Sequence, residues 1–85
     1  MKTGPMKYRK RPVVITAMQW DGSARSSQQL QKFVGAALVH HGFYAVHTLE
    51  GDMKISLNDW VVRGVSGEFY PVRDDIFLLT YEAAE

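Results

Sequence analysis

Three turn pairs divide the segment from residue 47 to residue 77, and they constrain the fold more than any other feature of the sequence. They are Gly51-Asp52, Asn58-Asp59 and Ser66-Gly67. The chain reverses easily at such pairs, because Gly, Asn and Asp adopt a positive φ at little cost. The pieces between them are short and rich in β-branched and aromatic residues. This pattern predicts a tight antiparallel meander with strands at 53–57, 60–65 and 69–72.

The chain has 85 residues, which is enough for a single small domain. It contains no cysteine, so it can form neither a disulfide nor a thiolate metal site, and this composition fits a reducing compartment. The apolar fraction of 46% is that of an ordinary folded domain. No apolar stretch approaches the ~20 residues that span a bilayer, and the first residues lack the apolar core of a signal peptide. We therefore expect a cytoplasmic protein.

Charge is distributed unevenly along the chain. Residues 1–11 hold five basic residues and no acidic one, whereas residues 12–85 hold five basic and nine acidic residues, a net charge of −4. We predict a flexible basic arm at 1–11, a single domain at 12–82 and a short tail at 83–85. The arm could contact phosphate on a nucleotide or a nucleic acid. Five charges without interleaved aromatic residues are, however, more typical of a solvated tail.

Residues 12–20 predict a first strand, and the residues that follow predict a helix. The run from 12 to 20 is apolar at both alternate sets of positions, as in a central strand that is buried on both faces. Ser23 or Ser26 can cap the start of the helix, and Gly35 can end it. The spacing i, i+3, i+4 predicts that one apolar stripe faces the sheet. This stripe consists of Leu30, Phe33 and Val34.

Two further extended segments, 36–41 and 43–49, precede the meander, and residues 76–79 fit either a helical turn or an edge strand. These elements predict an α+β fold: a small, mostly antiparallel β-meander sheet of four to six strands, packed by one amphipathic helix. The exposed edges of such a sheet favour a homodimer, because pairing two edges covers unpaired backbone groups.

The sequence contains no constellation that is typical of catalysis or of metal binding. His40 and His41 are adjacent, so in a strand they point to opposite faces and only one of them could join His47 at an ion. Glu50 and Asp52 could act as a general acid and base, but carboxylates beside a turn glycine are commonly just solvated. No glycine-rich loop connects a strand to a helix. We predict that the protein is not an enzyme and binds no metal and no cofactor.

Charged and aromatic residues on the arm and around the last turns are the candidate binding residues. Trp60 begins a strand after a turn, where a large core residue is the more common role. Arg63 and Glu68 lie across a predicted hairpin, which favours a structural ion pair between them. Two arginines and a tyrosine near one rim would also suit an anion. The full candidate set is Arg9, Lys10, Arg11, Trp60, Arg63, Glu68, Tyr70 and Arg73.

Several segments resemble a group of small proteins of unknown function that bacteriophages and prophages encode, some of them grouped under the name PGDYG. The resemblance covers residues 7–20, 48–53, 59–71 and 75–77. At the name-giving turn this chain has Leu57-Asn58-Asp59-Trp60, and Asn58 can adopt the left-handed conformation of the glycine in the family tetrapeptide. The resemblance implies a phage accessory protein, and it implies no activity, because the group has no agreed one.

These observations leave three hypotheses for the function. The first is a non-catalytic interaction module that binds a host or phage protein in the host cytoplasm, through exposed aromatic residues or a sheet edge. The second is a small-ligand binder that holds a nucleotide-like anion on Arg63, Arg73 and the basic arm. The third is a nucleic-acid contact by the arm with Tyr8 as a stacking residue, and it is the weakest because one aromatic residue is no stacking platform.

Overall fold

A computed structural model describes residues 4–9 and 11–84 of the chain. Lys10, a predicted binding residue, lies outside the described residues, as do residues 1–3 and 85 at the ends of the predicted arm and tail. The elements are β1 (Thr16–Gln19), α1 (Ala24–Val34), β2 (Leu38–His40), β3 (Tyr44–Thr48), β4 (Gly51–Lys54), β5 (Trp60–Arg63), β6 (Phe69–Val72) and α2 (Asp74–Thr80). A short 3-10 helix at Gly35–Ala37 links α1 to β2. The predicted α+β fold class is confirmed.

The strands divide between two antiparallel three-stranded sheets, with the strand orders β1-β5-β6 and β2-β3-β4. The single sheet that we expected is therefore split inside the predicted meander. Ile55 still belongs to the second sheet, because its N–H donates to the Tyr44 carbonyl at 2.8 Å. Three residues later, the Asn58 N–H donates to the Trp20 carbonyl, beside the first sheet. The chain changes sheets here because Ile55 is buried in the core.

β1 lies at the edge of its sheet, so the expectation of a central strand buried on both faces is wrong. In the described part of the chain, no strand pairs with its other side, and β5 pairs only with Thr16–Gln19. β5 ends at Arg63, opposite Thr16, and the chain then turns, so residues 12–15 have no strand beside them. Val13 and Val14 are consequently 47% and 80% exposed.

The core lies between the two sheets and α1. The Ser23 side chain caps α1 by accepting a hydrogen bond from the Ser26 N–H at 3.1 Å, and Gly35 ends the helix at a φ of 68°. Both caps were predicted from sequence. The predicted stripe also faces inward, where the Phe33 and Phe69 rings meet edge to face at 5.3 Å. The buried core residues are Leu30, Val34, Val46, Ile55 and Val61.

Alternation along the strands places the side chains of the first sheet on two opposite faces. Met18 and Val61, which pair in register, face the core. Trp60 and Val62 lie on the opposite face, which α2 covers through a ring stack between Phe77 and Trp60. The molecule therefore has three layers: α2, the first sheet, and the second sheet with α1. Among the described residues, no helix is long and apolar enough to cross a membrane.

Two of the three predicted turns form at the predicted residues. Asn58 adopts a φ of 69°, and Asp59 accepts a hydrogen bond from the Ser56 N–H at 2.9 Å, which fixes that turn. Gly67 adopts a φ of 82° in the hairpin between β5 and β6. The remaining turn is displaced by two residues. Gly51 opens β4 opposite Thr48, and residues 49–50 form the reversal.

Candidate functional site

A groove with a volume of about 710 Å³ runs along the outer face of the first sheet. One wall is the extended segment 12–15, and the other is formed by α2 and residues 81–84. Ala17 and Trp60 lie between these walls. We call this site the aromatic groove, because a row of three aromatic rings forms its α2 side.

The aromatic row begins with Trp60, whose ring stacks on Phe77 with a centroid distance of 4.1 Å and an interplanar angle of 6°. Phe77 contacts the Tyr81 ring at 4.9 Å. The Trp60 Nε1–H donates to Asp74 Oδ1 at 2.9 Å, and the Gln19 side chain donates to the same oxygen at 3.2 Å. Trp60 thus lines the groove between its two walls. It does not belong to the core cluster, contrary to its more common role.

Three exposed apolar side chains, Val13, Val14 and Leu78, line the aromatic groove. The described residues include twelve large apolar side chains that are exposed, and seven of them belong to the arm, to residues 12–15 or to α2. Exposed apolar side chains that share one groove on a small protein are typical of an interaction surface. The seven residues are Met6, Tyr8, Val13, Val14, Ile76, Leu78 and Leu79.

The free edge of β1 borders the groove and carries no feature that would block pairing. Residues 12–20 include no charged side chain. The other edge strands are protected in the usual ways. β6 contains Pro71, which has no N–H, and β4 carries Asp52 and Lys54. β2 has only three residues.

Backbone groups of β1 point alternately toward β5 and toward the free edge. The Trp20 N–H donates to the Asp59 carbonyl at 3.0 Å, on the side of β5. Alternation therefore directs Met18 toward β5 and directs Ala17 and Ile15 toward the free edge. No strand of the described part of the chain pairs with that edge. The edge thus offers backbone donors and acceptors beside an apolar groove.

Charges of opposite sign lie at the two ends of β1. The arm precedes the strand and carries Arg9 and Arg11, both exposed. Asp21 follows the strand, and hydrogen bonds from the Ser23 and Ser26 side chains and from the Ser23 backbone lower its pKa to about 2, which keeps it charged. Asp74 lies at the same end, held by Trp60 and Gln19. β1 is therefore preceded by basic residues and followed by acidic ones.

The remaining predicted residues do not come together as an anion site. The strand register places Arg63 opposite Phe69, whereas Arg73 follows the opposite end of the hairpin. Four residue steps separate these positions along the strand, about 13 Å at ~3.3 Å per residue. Arg73 is also paired with Asp75 at 2.7 Å. The predicted ion pair of Arg63 with Glu68 is not formed, because the Glu68 carboxylate lies over Gly64.

Glu68 and Tyr70 line a second cavity of about 570 Å³, between β6 and the β3–β4 hairpin. The other acidic residue in its lining is Glu50, and no lysine or arginine lines it. A hydrogen bond with Tyr81 and, secondarily, burial raise the pKa of Tyr70 to about 12, so the phenol is neutral at physiological pH. These surroundings suit an anion poorly.

Only one of the two adjacent histidines lies near His47, as expected from their alternation in a strand. His41 and His47 both contact Asp52, at 2.9 and 2.8 Å, while His40 lies apart against the Tyr44 ring. Hydrogen bonds from His47 and then from His41 lower the pKa of Asp52. This trio is exposed on the second sheet. Within the described residues, no three His, Cys, Asp or Glu side chains form a group that could hold a metal ion.

Sequence reasoning included Trp60 and Tyr70 among the candidates but missed the residues that complete the groove. Phe77 and Tyr81 are spaced i, i+4, which is the spacing of one helix face, and this signal could have marked them as a pair. The uncharged run 12–20 is a second signal in the sequence, but it fits a buried strand as well as an exposed edge. No family model matches the chain, and neither a curated protein nor a solved structure matches it.

Proposed function

We propose that the protein is a non-catalytic interaction module that binds an extended segment of a host or phage protein as an additional strand on β1. One observation carries the proposal: an uncharged, unpaired strand edge runs beside an exposed aromatic groove. Strand addition joins the two features, because backbone bonds supply affinity and pockets for alternate side chains supply specificity.

The geometry defines the partner segment. From Val13 to Gln19 the edge spans six residue steps, about 20 Å at ~3.3 Å per residue, so a partner strand of roughly six residues covers it. Every second side chain of that strand faces the aromatic groove, which favours apolar or aromatic residues at those positions. Acidic residues beside the strand would complement Arg9 and Arg11 on the arm.

The biological setting is part of the proposal and comes from the resemblance to the PGDYG group. On that basis the module is a phage accessory protein that acts in the host cytoplasm. A non-catalytic role is supported by the chemistry of the groove, whose lining is mainly aromatic and aliphatic. Glu82 is the acidic residue in that lining, and it is exposed. The geometry around Arg63 and Arg73 does not favour the alternative of an anion binder.

Selection from a displayed library of random peptides tests the proposal, with peptides long enough to span the groove, roughly ten residues. We expect the selected peptides to share alternating apolar positions flanked by acidic residues. Binding of a selected peptide is then titrated against two variants that act on different parts of the site. Val14→Lys places a charge on the edge segment, and Phe77→Ala removes the middle ring of the aromatic row.

Both variants should weaken binding by about tenfold or more, equivalent to about 1.4 kcal/mol. Leu49→Lys is the matched control, because Leu49 is fully exposed in the turn between β3 and β4 and the substitution makes the same change from aliphatic to basic. Circular dichroism establishes that each variant is folded. A library that yields no binding peptide, or peptides that bind all three variants like the original protein, would overturn the proposal.

A further inference from the structure

We infer that a second copy of this chain occupies the free edge of β1 when no other partner is present, with the two β1 strands paired antiparallel about a twofold axis. The inference rests on the proposed function, because it assigns an occupant to the same docking surface. It adds that the isolated protein is a dimer and that binding of another partner competes with self-association.

The first argument is that the chain itself contains the kind of segment that the edge would bind. Residues 12–20 include β1, carry no charge and are rich in β-branched side chains. Their outward backbone groups, at Ile15 and Ala17, match those of an identical strand that runs in the opposite direction. Such a contact uses the same patch on both copies, so it closes as a dimer and leaves no open end.

The second argument is charge complementarity. In an antiparallel pair, the start of one β1 lies beside the end of the other. This pairing brings Arg9 and Arg11 of one copy toward the end of β1 at which Asp21 and Asp74 lie in its partner. The twofold axis repeats the contact, so two basic arms meet two acidic ends. Residues 1–11 have a positive net charge and residues 12–85 a negative one, and this difference favours the same contact between two copies.

The third argument is the unprotected apolar surface. Val14 and Leu78, both lining the groove, are 80% and 65% exposed in a single copy. An uncharged edge next to such residues invites association, and monomeric proteins usually protect it with charges or proline. The β6 and β4 edges of this chain have that protection, through Pro71 in β6 and Asp52 and Lys54 in β4. Its absence from β1 therefore favours a paired edge in solution.

Self-association at this edge has a consequence for partner binding. A partner strand must displace the second copy, so the apparent affinity for a selected peptide should fall as the protein concentration rises above the dimer dissociation constant. A monomeric variant with an intact groove would bind the peptide without this dependence. Competition of this kind distinguishes one shared surface from two separate ones.

Sedimentation velocity across a dilution series tests the inference directly, with light scattering to give the mass. We expect a mass of twice 9.6 kDa at high concentration, falling toward 9.6 kDa on dilution. Val14→Lys should remain monomeric throughout, because a charged side chain in the pairing segment would lie against apolar side chains of the second copy. Leu49→Lys, with the same change in the turn between β3 and β4, should dimerise like the original protein.

Two results would overturn the inference. One is a monomer at every concentration, which would leave the peptide titration alone to decide the proposed function. The other is a dimer that Val14→Lys does not weaken, which would place the contact on another surface. The lysine of Val14→Lys could bend away from the interface, so a second variant, Ala17→Pro, tests the same edge. Proline removes an outward N–H from the edge and cannot restore it by a change of side-chain conformation. Its fold is checked by circular dichroism, and a folded Ala17→Pro variant that dimerises like the original protein would also contradict the assignment.

Discussion

Replacement of Phe77 by alanine should destabilise the protein markedly, because this ring fastens α2 to the first sheet. α2 has only seven residues, and no side-chain hydrogen bond caps its start. A helix this short is not stable alone, so its position depends on packing. Phe77 supplies that packing by stacking on Trp60 at 4.1 Å and by contacting Tyr81 at 4.9 Å.

The expected cost follows from the burial of Phe77. Truncation of a fully buried Phe to Ala costs about 3–5 kcal/mol, and Phe77 is half-buried, so its share is about 2 kcal/mol. A stacked aromatic pair adds about 1 kcal/mol. The total of about 3 kcal/mol corresponds to a fall in Tm of roughly 10–20 °C for a domain of this size. The protein should remain folded at low temperature, because domains of this length have about 4–13 kcal/mol of stability.

Thermal and urea unfolding followed by far-UV circular dichroism measure this effect, and the near-UV signal reports the Trp60 environment. Leu79→Ala is the matched control on the same helix, because Leu79 is 86% exposed and its truncation should change stability by less than about 0.5 kcal/mol. Equal stabilities of Phe77→Ala and Leu79→Ala would refute the reasoning. So would a near-UV spectrum of Phe77→Ala identical to that of the original protein, since the Trp60 stack would then be absent in solution.

Three further predictions concern local features of the fold. Ser23→Ala removes the hydrogen bond that caps α1 and should lower the free energy of unfolding by about 1 kcal/mol, measured by urea denaturation. Asn58→Ala should cost about 1 kcal/mol because Asn58 has a φ of 69°, whereas Asn58→Gly should retain or raise Tm. The pKa of Asp21 is lowered from 3.8 to about 2, so the stability that it contributes is present above pH 4 and is lost as the pH falls toward 2. In Asp21→Asn, the midpoint of urea unfolding should therefore depend less on pH in that window than it does in the original protein. An unchanged dependence on pH would contradict the contribution assigned to Asp21.

Features that depend on neighbouring residues were predictable from the sequence. α1 follows from a serine cap, an apolar stripe and a terminal glycine, all of which lie within thirteen residues. β6 was predicted with its observed limits, because turn residues bound it on one side and an acidic pair on the other. The turn at Asn58 likewise depends on the backbone conformation of a single residue.

Features that depend on distant pairing were not predictable in the same way. β4 pairs with β3, whereas β5 pairs with the distant β1. The local rules that predict turns and strands do not determine which strands pair with each other. The run 12–20 is compatible with a central strand and with an exposed edge, and only the presence or absence of a second pairing strand decides between them. The aromatic groove joins Trp60 to Phe77, seventeen positions apart in the sequence, so no local motif describes it.

Hydrogen exchange of single amides along β1, followed by NMR, tests the docking edge most directly. In dilute protein the Met18 amide should exchange slowly, because it faces β5, whereas the Ile15 and Ala17 amides should exchange rapidly. Saturation with a selected peptide, or a rise in protein concentration, should slow exchange at Ile15 and Ala17 and leave Met18 unchanged. If Ile15 and Ala17 exchange at the same rapid rate under all three conditions, no strand pairs with this edge and the central claim is wrong.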